Sequence, residues 1–216
     1  MNNLHLLDHP ALQHKLGVLR DKHTSSAEVR RVISEISLLL AYEATRHLSL
    51  QTVEVETPMG KAAIRQIAYS PLVVSILRAG NSMLDGVLAV VSEAKVGHIG
   101  IYRDRFTQDT VEYYFRLPDH HHVQDKEVLL IDPLVATGDT VLACIERLQQ
   151  FKVGIIRVLC LLISKPALER IQYFYPDVVI YAIGVEETID DNGFLIPGIG
   201  DVSSRLYGWT SEVNAI

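Results

Sequence analysis

From Pro71 onward the sequence alternates short runs that are apolar on both faces with runs apolar on one face only, and few architectures accommodate that pattern. The two-faced runs cover residues 72–77, 96–102, 127–132, 156–163 and 178–183. Successive side chains of a strand point to opposite sides, so a strand covered on both sides needs apolar residues at consecutive positions. Between these runs, residues 81–94, 139–151 and 166–174 carry apolar side chains at helical spacing. The alternation predicts an α/β fold: a parallel twisted sheet flanked by helices, with right-handed crossovers. Ligands of such sheets gather at the carboxyl ends of the strands, which is where functional residues are to be sought.

Two segments stand outside the alternation. Ser25-Ser26-Ala27-Glu28 reads as a capping box. It opens a long N-terminal helix whose inward stripe is Val29, Val32, Ile33, Ile36, Leu39 and Leu40, fading near Arg46-His47. Further on, Val111, Tyr113, Phe115 and Leu117 alternate with Glu112, Tyr114 and Arg116, the pattern of a half-buried antiparallel strand. With Thr107-Gln108-Asp109 as its turn, the stretch 102–118 predicts a β-hairpin flap, either a lid over the strand ends or an edge hairpin that protects the sheet. The whole chain, 1–216, reads as one domain: an N-terminal helical hood (1–70), a core (71–185) and a C-terminal segment (186–216).

Composition narrows the function classes. With 216 residues, 48% of them hydrophobic, the chain is long enough to bury a substantial core. A net charge of -6 without a Lys/Arg cluster weighs against nucleic acid as partner. No apolar run approaches the roughly 18 residues of a membrane span, and the most apolar stretch, 153–163, is interrupted by Arg157. The opening MNNLHLLDHP lacks the basic start of a secretory signal. Cys144 and Cys160 lie inside apolar periodic segments, so neither a disulfide framework nor a zinc site is expected, and a cytoplasmic location is. His120-His121-His122, next to Pro118-Asp119, is expected to be a solvated turn rather than a metal site, and Asp190-Asp191 a loop.

The residues richest in chemistry are Leu129-Leu130-Ile131-Asp132-Pro133-Leu134-Val135-Ala136-Thr137-Gly138-Asp139-Thr140. A buried strand ends in an acid, a short loop with two threonines and a glycine follows, and a helix opens. Such a loop offers backbone N–H groups and hydroxyls at the positive end of a helix, which suits a phosphate. Asp132 is placed to accept hydrogen bonds from sugar hydroxyls. The loop lacks the Gly-x-x-x-x-Gly-Lys pattern of a Walker A motif. Spacing alone leaves two readings open, a phosphate loop or an ordinary strand–loop–helix connection.

The stretch from Asp132 to Thr140 resembles the phosphoribosyl-diphosphate (PRPP) loop of the type I phosphoribosyltransferases, in the form found in their uracil phosphoribosyltransferase branch, where a proline follows the acid. The resemblance covers nearly the whole chain. It includes His9-Pro10, Gln13-His14-Lys15-Leu16, Arg20-Asp21-Lys22, residues 54–58, Ile76-Leu77-Arg78-Ala79-Gly80, residues 96–104, Glu112-Tyr113-Tyr114 and Pro197-Gly198-Ile199-Gly200-Asp201.

The resemblance implies a type I phosphoribosyltransferase-like fold and an enzyme that makes UMP and diphosphate from uracil and PRPP. It also implies roles. Arg78 and Arg103 would bind the diphosphate arm, Asp132 the ribose hydroxyls, and Pro133, Leu134, Val135, Ala136, Thr137, Gly138, Asp139 and Thr140 the 5′-phosphate, with Arg103 and Asp132 the catalytic pair. Leu195, Gly200, Asp201 and Val202 would read uracil, mainly through backbone groups, and Asp201 would also reach the ribose or a metal-bound water. Mg²⁺ would travel with PRPP, without direct protein ligands. A homodimer or higher homo-oligomer and a GTP effector are implied as well. Three departures from the branch bear on preference. Val202 would add methyl groups beside the base, and Ser204 removes a charge. Asp139 stands where a small residue is usual, and would repel a phosphate if it pointed inward. They leave open a transferase for another nucleobase, or a PRPP-sensing regulator with little turnover.

Overall fold

The computed structural model describes residues 3–103 and 110–208. In chain order they form strand β1 (Leu4–Leu6), helices α1 (Pro10–Arg20) and α2 (Ser26–Ala44), β2 (Leu50–Thr57), β3 (Gly60–Ile67), β4 (Leu72–Leu77), α3 (Asn81–Val90), β5 (Val96–Arg103) and β6 (Thr110–Arg116). Then come β7 (Val128–Ile131), β8 (Leu134–Val135), α4 (Asp139–Gln149), β9 (Ile156–Leu159), β10 (Leu162–Ser164), α5 (Lys165–Phe174) and β11 (Val179–Ala182). β12 (Gly184–Glu186), β13 (Thr188–Ile189), β14 (Leu195–Ile196) and α6 (Val202–Tyr207) complete the series.

Among the described residues the main sheet runs β1-β11-β9-β7-β4-β5-β6. Every pair is parallel except β5–β6. Its two faces are the two registers of the apolar runs. Val73, Leu129, Ile131, Leu159 and Tyr181 face the stripe of α1, α2 and α3, including Leu16, Ile33, Ile36, Leu40 and Met83. Leu72, Val74, Ile76, Leu130, Val158 and Ile180 face α4 and α5, through Val141, Cys144, Ile145, Leu148 and Ile171. Each such buried side chain contributes about 1.5–3 kcal/mol of apolar burial, so the two-faced runs hold the sheet between its helices. From β4 the chain steps outward to β5 and β6, then returns to β7 and proceeds the other way through β9 and β11. The order therefore reverses between β4 and β7, and their carboxyl ends bound the crevice where ligands of open α/β sheets bind.

The helix expected from the capping box runs Ser26–Ala44, with the Ser25 hydroxyl accepting the Glu28 N–H at 3.3 Å. The box is one-sided, because the Glu28 carboxylate accepts from Arg31 Nε at 3.1 Å instead. The run 156–163, expected as one strand, is two. The Leu161 and Leu162 N–H groups both donate to the Pro133 carbonyl, at 3.0 and 3.2 Å. This turns the chain out of the main sheet into a second, parallel one of order β12-β10-β8. Both sheets bury these residues, so periodicity does not register the change. Of the expected flap, residues 110–116 are the edge strand β6, with Phe115 stacked on Phe151 at 5.0 Å. The turn at Thr107-Gln108-Asp109 lies outside the described residues. His120–His122 is a single 3₁₀ turn. No helix among the described residues is long and apolar enough to cross a membrane.

Candidate active site

β7 ends at Ile131, and Asp132 follows with its N–H on the Leu159 carbonyl at 3.2 Å. Burial pushes the Asp132 carboxyl up to about 7, outweighing a hydrogen bond from the Leu134 N–H that lowers it. Behind the loop, the Pro133 carbonyl takes the two N–H groups already named and Leu134–Val135 pairs with β10. The Ala136 carbonyl accepts from the Ser164 hydroxyl, which also caps α5 by accepting the Ala167 N–H at 2.9 Å. The carbonyl side of the loop is thereby anchored to β10 and α5.

Gly138 is the N-cap of α4 and has φ +83°, where an L side chain is strained. Gly138 has no side chain to cap α4, and Thr137 Oγ1 accepts the N–H of Asp139, its first residue, at 3.4 Å. Asp139 does not point bare into the loop. Its Oδ1 accepts from Arg170 Nη2 at 2.8 Å, while Arg170 Nη1 donates to the Thr137 carbonyl at 2.6 Å.

Arg78 lies just past β4, exposed, after a cis Leu77–Arg78 peptide. Gly80 draws this turn against β7: a Cβ there would stand 2.5 Å from the carbonyl oxygens of both Ile76 and Ile131. The residue after Ile131 is Asp132, so the Arg78 turn and the acid are neighbours by construction. Arg103 ends β5, the next strand over, and its side chain lies outside the described residues.

The C-terminal segment closes the site from a third side. In the β13–β14 turn the Asp190 carboxylate accepts the Asn192 and Phe194 N–H groups at 3.0 and 2.7 Å. A Cβ built on Gly193 would lie 3.7 Å from Thr137 Cγ2, so this turn leans over the phosphate-type loop. After a cis Ile196–Pro197 bond, the carbonyls of the next turn are held by two arginines. Arg20 Nη1 donates to Gly198 at 2.8 Å while its Nη2 pairs with the buried Glu186 at 2.7 Å. Arg205 Nη1 donates to Ile199 at 2.8 Å, and its Nη2 to the Asp21 carbonyl at 2.7 Å. Tyr207 donates from its hydroxyl to the Arg78 carbonyl at 3.2 Å, tying α6 to the turn after β4.

Two side chains expected at the base have other work. Both Asp201 oxygens cap α6, Oδ1 accepting the Ser203 N–H at 3.0 Å and Oδ2 the Ser204 hydroxyl at 2.6 Å. Ser204 thus answers its lost charge with a hydrogen bond to the neighbouring acid. The Val202 side chain is 4% exposed and packs in the core with Leu206, so it does not add methyl groups beside a base. A short helix that buries Val202 and Leu206 on one face turns the side chain of residue 202 inward. Leu195 is buried in the same cluster, and Gly200 has φ +74°. Arg170 was not singled out from sequence, and neither were Tyr207 or the part Arg20 plays. Only Arg20 left a signal, as part of Arg20-Asp21-Lys22.

A cavity of about 920 Å³ on the α1–α2 side of the sheet, lined among others by His5, Tyr42, His47, Arg157 and Tyr181, includes none of these crevice residues.

A family model described as uracil phosphoribosyltransferase matches residues 6–209. A uracil phosphoribosyltransferase of Variovorax paradoxus is 43% identical over 209 residues, covering 96% of this chain and 99% of that one. One of Legionella pneumophila is 42% identical over 208 residues, with 96% of each covered. Among solved structures, the AQ2163 protein of Aquifex aeolicus superposes with a TM-score of 0.90 at 33% identity, covering 96% of this chain and 99% of that one. An adenine phosphoribosyltransferase of Leishmania donovani shares the fold with a TM-score of 0.58 at 13% identity, over 89% of this chain and 88% of its own.

Proposed function

The chain belongs to the uracil phosphoribosyltransferase family, and we propose that its reaction runs in the crevice between the carboxyl ends of β4 and β7. The activity is transfer of the 5-phosphoribosyl group from PRPP to uracil, giving UMP and diphosphate, a pentosyl transfer of pyrimidine salvage. The observation that carries the placement is the meeting of the Arg78 turn with Asp132, followed by the start of α4, at the point where strand order reverses.

In this reading residues 133–140 hold the 5′-phosphate with backbone amides and the Thr137 and Thr140 hydroxyls. Asp132 accepts the ribose hydroxyls, and Arg78 and Arg103 bind the diphosphate, where a guanidinium fork matches phosphate oxygens. Uracil alternates carbonyl and N–H groups along its edge, so the backbone of residues 195–202 reads it without dedicated side chains. Arg20 and Arg205 fix that backbone by its carbonyls. Displacement at the anomeric carbon builds positive charge on the sugar and negative charge on the leaving diphosphate, and the chain contributes alignment and charge stabilisation. Mg²⁺ fits as a companion of PRPP. Asp132 would face its water shell, as would Asp201 with the lone pairs that capping α6 leaves over. When bound, the metal supplies neutralisation of the diphosphate.

Three wider points complete the proposal. A cytoplasmic location fits the two buried free thiols, Cys144 and Cys160. A homo-oligomer fits the β2–β3 hairpin, whose strands pair with each other and expose Leu50, Met59 and Ile64. A GTP effector rests on the family resemblance alone.

The test is a nucleobase panel with PRPP and Mg²⁺, following diphosphate release. Uracil is expected to be the best substrate, with cytosine poor because it presents a donor where uracil presents an acceptor. Preference for a purine would overturn the base assignment, and PRPP binding without turnover of any base would favour a regulator. Within that assay Arg103→Ala is expected to raise the KM for PRPP far more than that for uracil. The reverse would displace Arg103 from the diphosphate.

A further inference from the structure

Resting on the reading of residues 132–140 as the phosphate loop, we propose that Arg170 is a positioning residue for PRPP, cancelling the charge of Asp139 and fixing the Thr137 carbonyl so that the loop can receive a phosphate.

An acid in the first turn of a helix interacts favourably with the helix's positive end. At a phosphate site that same end is needed by the ligand. A carboxylate at position 139 competes for the amides of the first turn and repels the anion that should occupy them. The loop therefore needs either a small neutral residue there or a cation dedicated to the acid. Arg170 is placed as that cation. Its Nη2 lies 2.8 Å from Asp139 Oδ1, and its Nη1 lies 2.6 Å from the carbonyl oxygen of Thr137. The Asp139 side chain is 16% exposed against 43% for Arg170, so the pair sits at the rim with the acid on the inner side.

The attachment is built into α5. Ser164, Ala167 and Arg170 recur at helical spacing, so they lie on one face of the helix. That face meets the loop at three successive points. Ser164 donates to the Ala136 carbonyl, Ala167 lies where a Cβ on Gly138 would come within 3.2 Å, and Arg170 takes Thr137 and Asp139. One planar fork serves a carbonyl and a carboxylate together, which the point charge of a lysine does not reproduce. The loop thus presents its donors toward the crevice while both its acid and its carbonyls are engaged behind.

The proposal separates from a purely structural role through the partner. Arg170→Ala takes this cation from Asp139 beside the phosphate, and the KM for PRPP is expected to rise about tenfold, with kcat and the KM for uracil within twofold of wild type. Adding Asp139→Asn to Arg170→Ala removes the acid's charge, and the PRPP KM is expected to return to within about threefold of wild type. Arg170→Lys should fall between. Arg170→Gln, which keeps a donor for Thr137 without the charge, serves if Arg170→Ala does not fold, and is expected to show the same rescue by Asp139→Asn. Equal impairment of the single and double variants, or a rise in uracil KM instead, would overturn the proposal. Thr140→Ala separates the two levels. If it raises the PRPP KM while Arg170→Ala changes nothing, the phosphate-loop reading stands and the role of Arg170 falls. If neither variant moves the PRPP KM, the loop reading fails and takes the proposal with it.

Discussion

Strand β7 carries an acid at each end, and the two have opposite circumstances. Glu127, just before it, is buried, accepts from Arg157 Nε at 2.8 Å and meets His47 Nε2 at 2.7 Å. Asp132, just after it, is held in the crevice with its carboxyl pushed up to about 7 by burial. At the amino end of the sheet a charge is enclosed together with its partners, which is how a buried carboxylate contributes to a stable fold. At the carboxyl end an acid is desolvated by burial at the point where the strand order reverses. The same strand supports both, so the difference lies in what the neighbouring elements supply, with β9 bringing Arg157 to Glu127.

Removing the acid from the closed end gives the largest stability effect. Glu127→Ala leaves Arg157, whose side chain is 11% exposed, as an unpaired charge. The expected cost is about 3–5 kcal/mol in urea unfolding, with kcat/KM per folded molecule within twofold of wild type. A large loss of kcat/KM at unchanged stability would break the contrast. At the open end the order inverts. Asp132→Asn is expected to lower kcat/KM by 10- to 100-fold, about 1.5–3 kcal/mol in the transition state, in steady-state assays of a variant that stays folded.

The same substitution sharpens the comparison through pH. The Asp132 carboxyl is raised from 3.8 to about 7 in the folded protein, so the native state holds a proton that the unfolded chain has released. The stability this contributes is complete below about pH 4 and is lost as pH rises through about 7. Asn carries no such penalty. Asp132→Asn is therefore expected to be more stable than wild type at pH 8 in urea unfolding, by about 1–2 kcal/mol, with the gap closing toward pH 4. A gap that stayed constant from pH 4 to 8 would refute the titration.

The smallest effect tests whether a residue at the working end can belong to the core. Val202→Ala is expected to cost about 1–2 kcal/mol through a small cavity. It should leave the relative rates for 5-substituted uracils within twofold, since the side chain faces Leu206 and the helices beneath rather than the base. A marked relaxation toward such substrates would put Val202 back at the pocket wall.

What the sequence disclosed follows from how far each interaction reaches along the chain. Asp132 and the loop after it were legible because strand, acid, glycine and helix start are contiguous, and periodicity locates the strand tip. The division of 156–163 between two sheets was not legible, because it depends on a carbonyl at Pro133. Neither was the fate of Asp139, since its cation lies 31 residues away on α5. The burial of the Val202 side chain was not legible either, because a motif position says which backbone lines a site, while packing decides where the side chain goes.

The arginine clasp on the Gly198–Ile199 turn has a consequence for how the molecule comes into being. Arg20 meets Gly198 across 178 positions of the chain, whereas the loop after β7 is tied to α5 across only about thirty. Closing the longer loops gives the slower ordering in folding. During synthesis the loop after β7 can make its hydrogen bonds to α5 soon after α5 emerges, but the Gly198–Ile199 turn must wait for nearly the last residues to meet nearly the first. A nascent chain therefore secures the loop after β7 before the Gly198–Ile199 turn, and losing either Arg20 or Arg205 strikes that turn first.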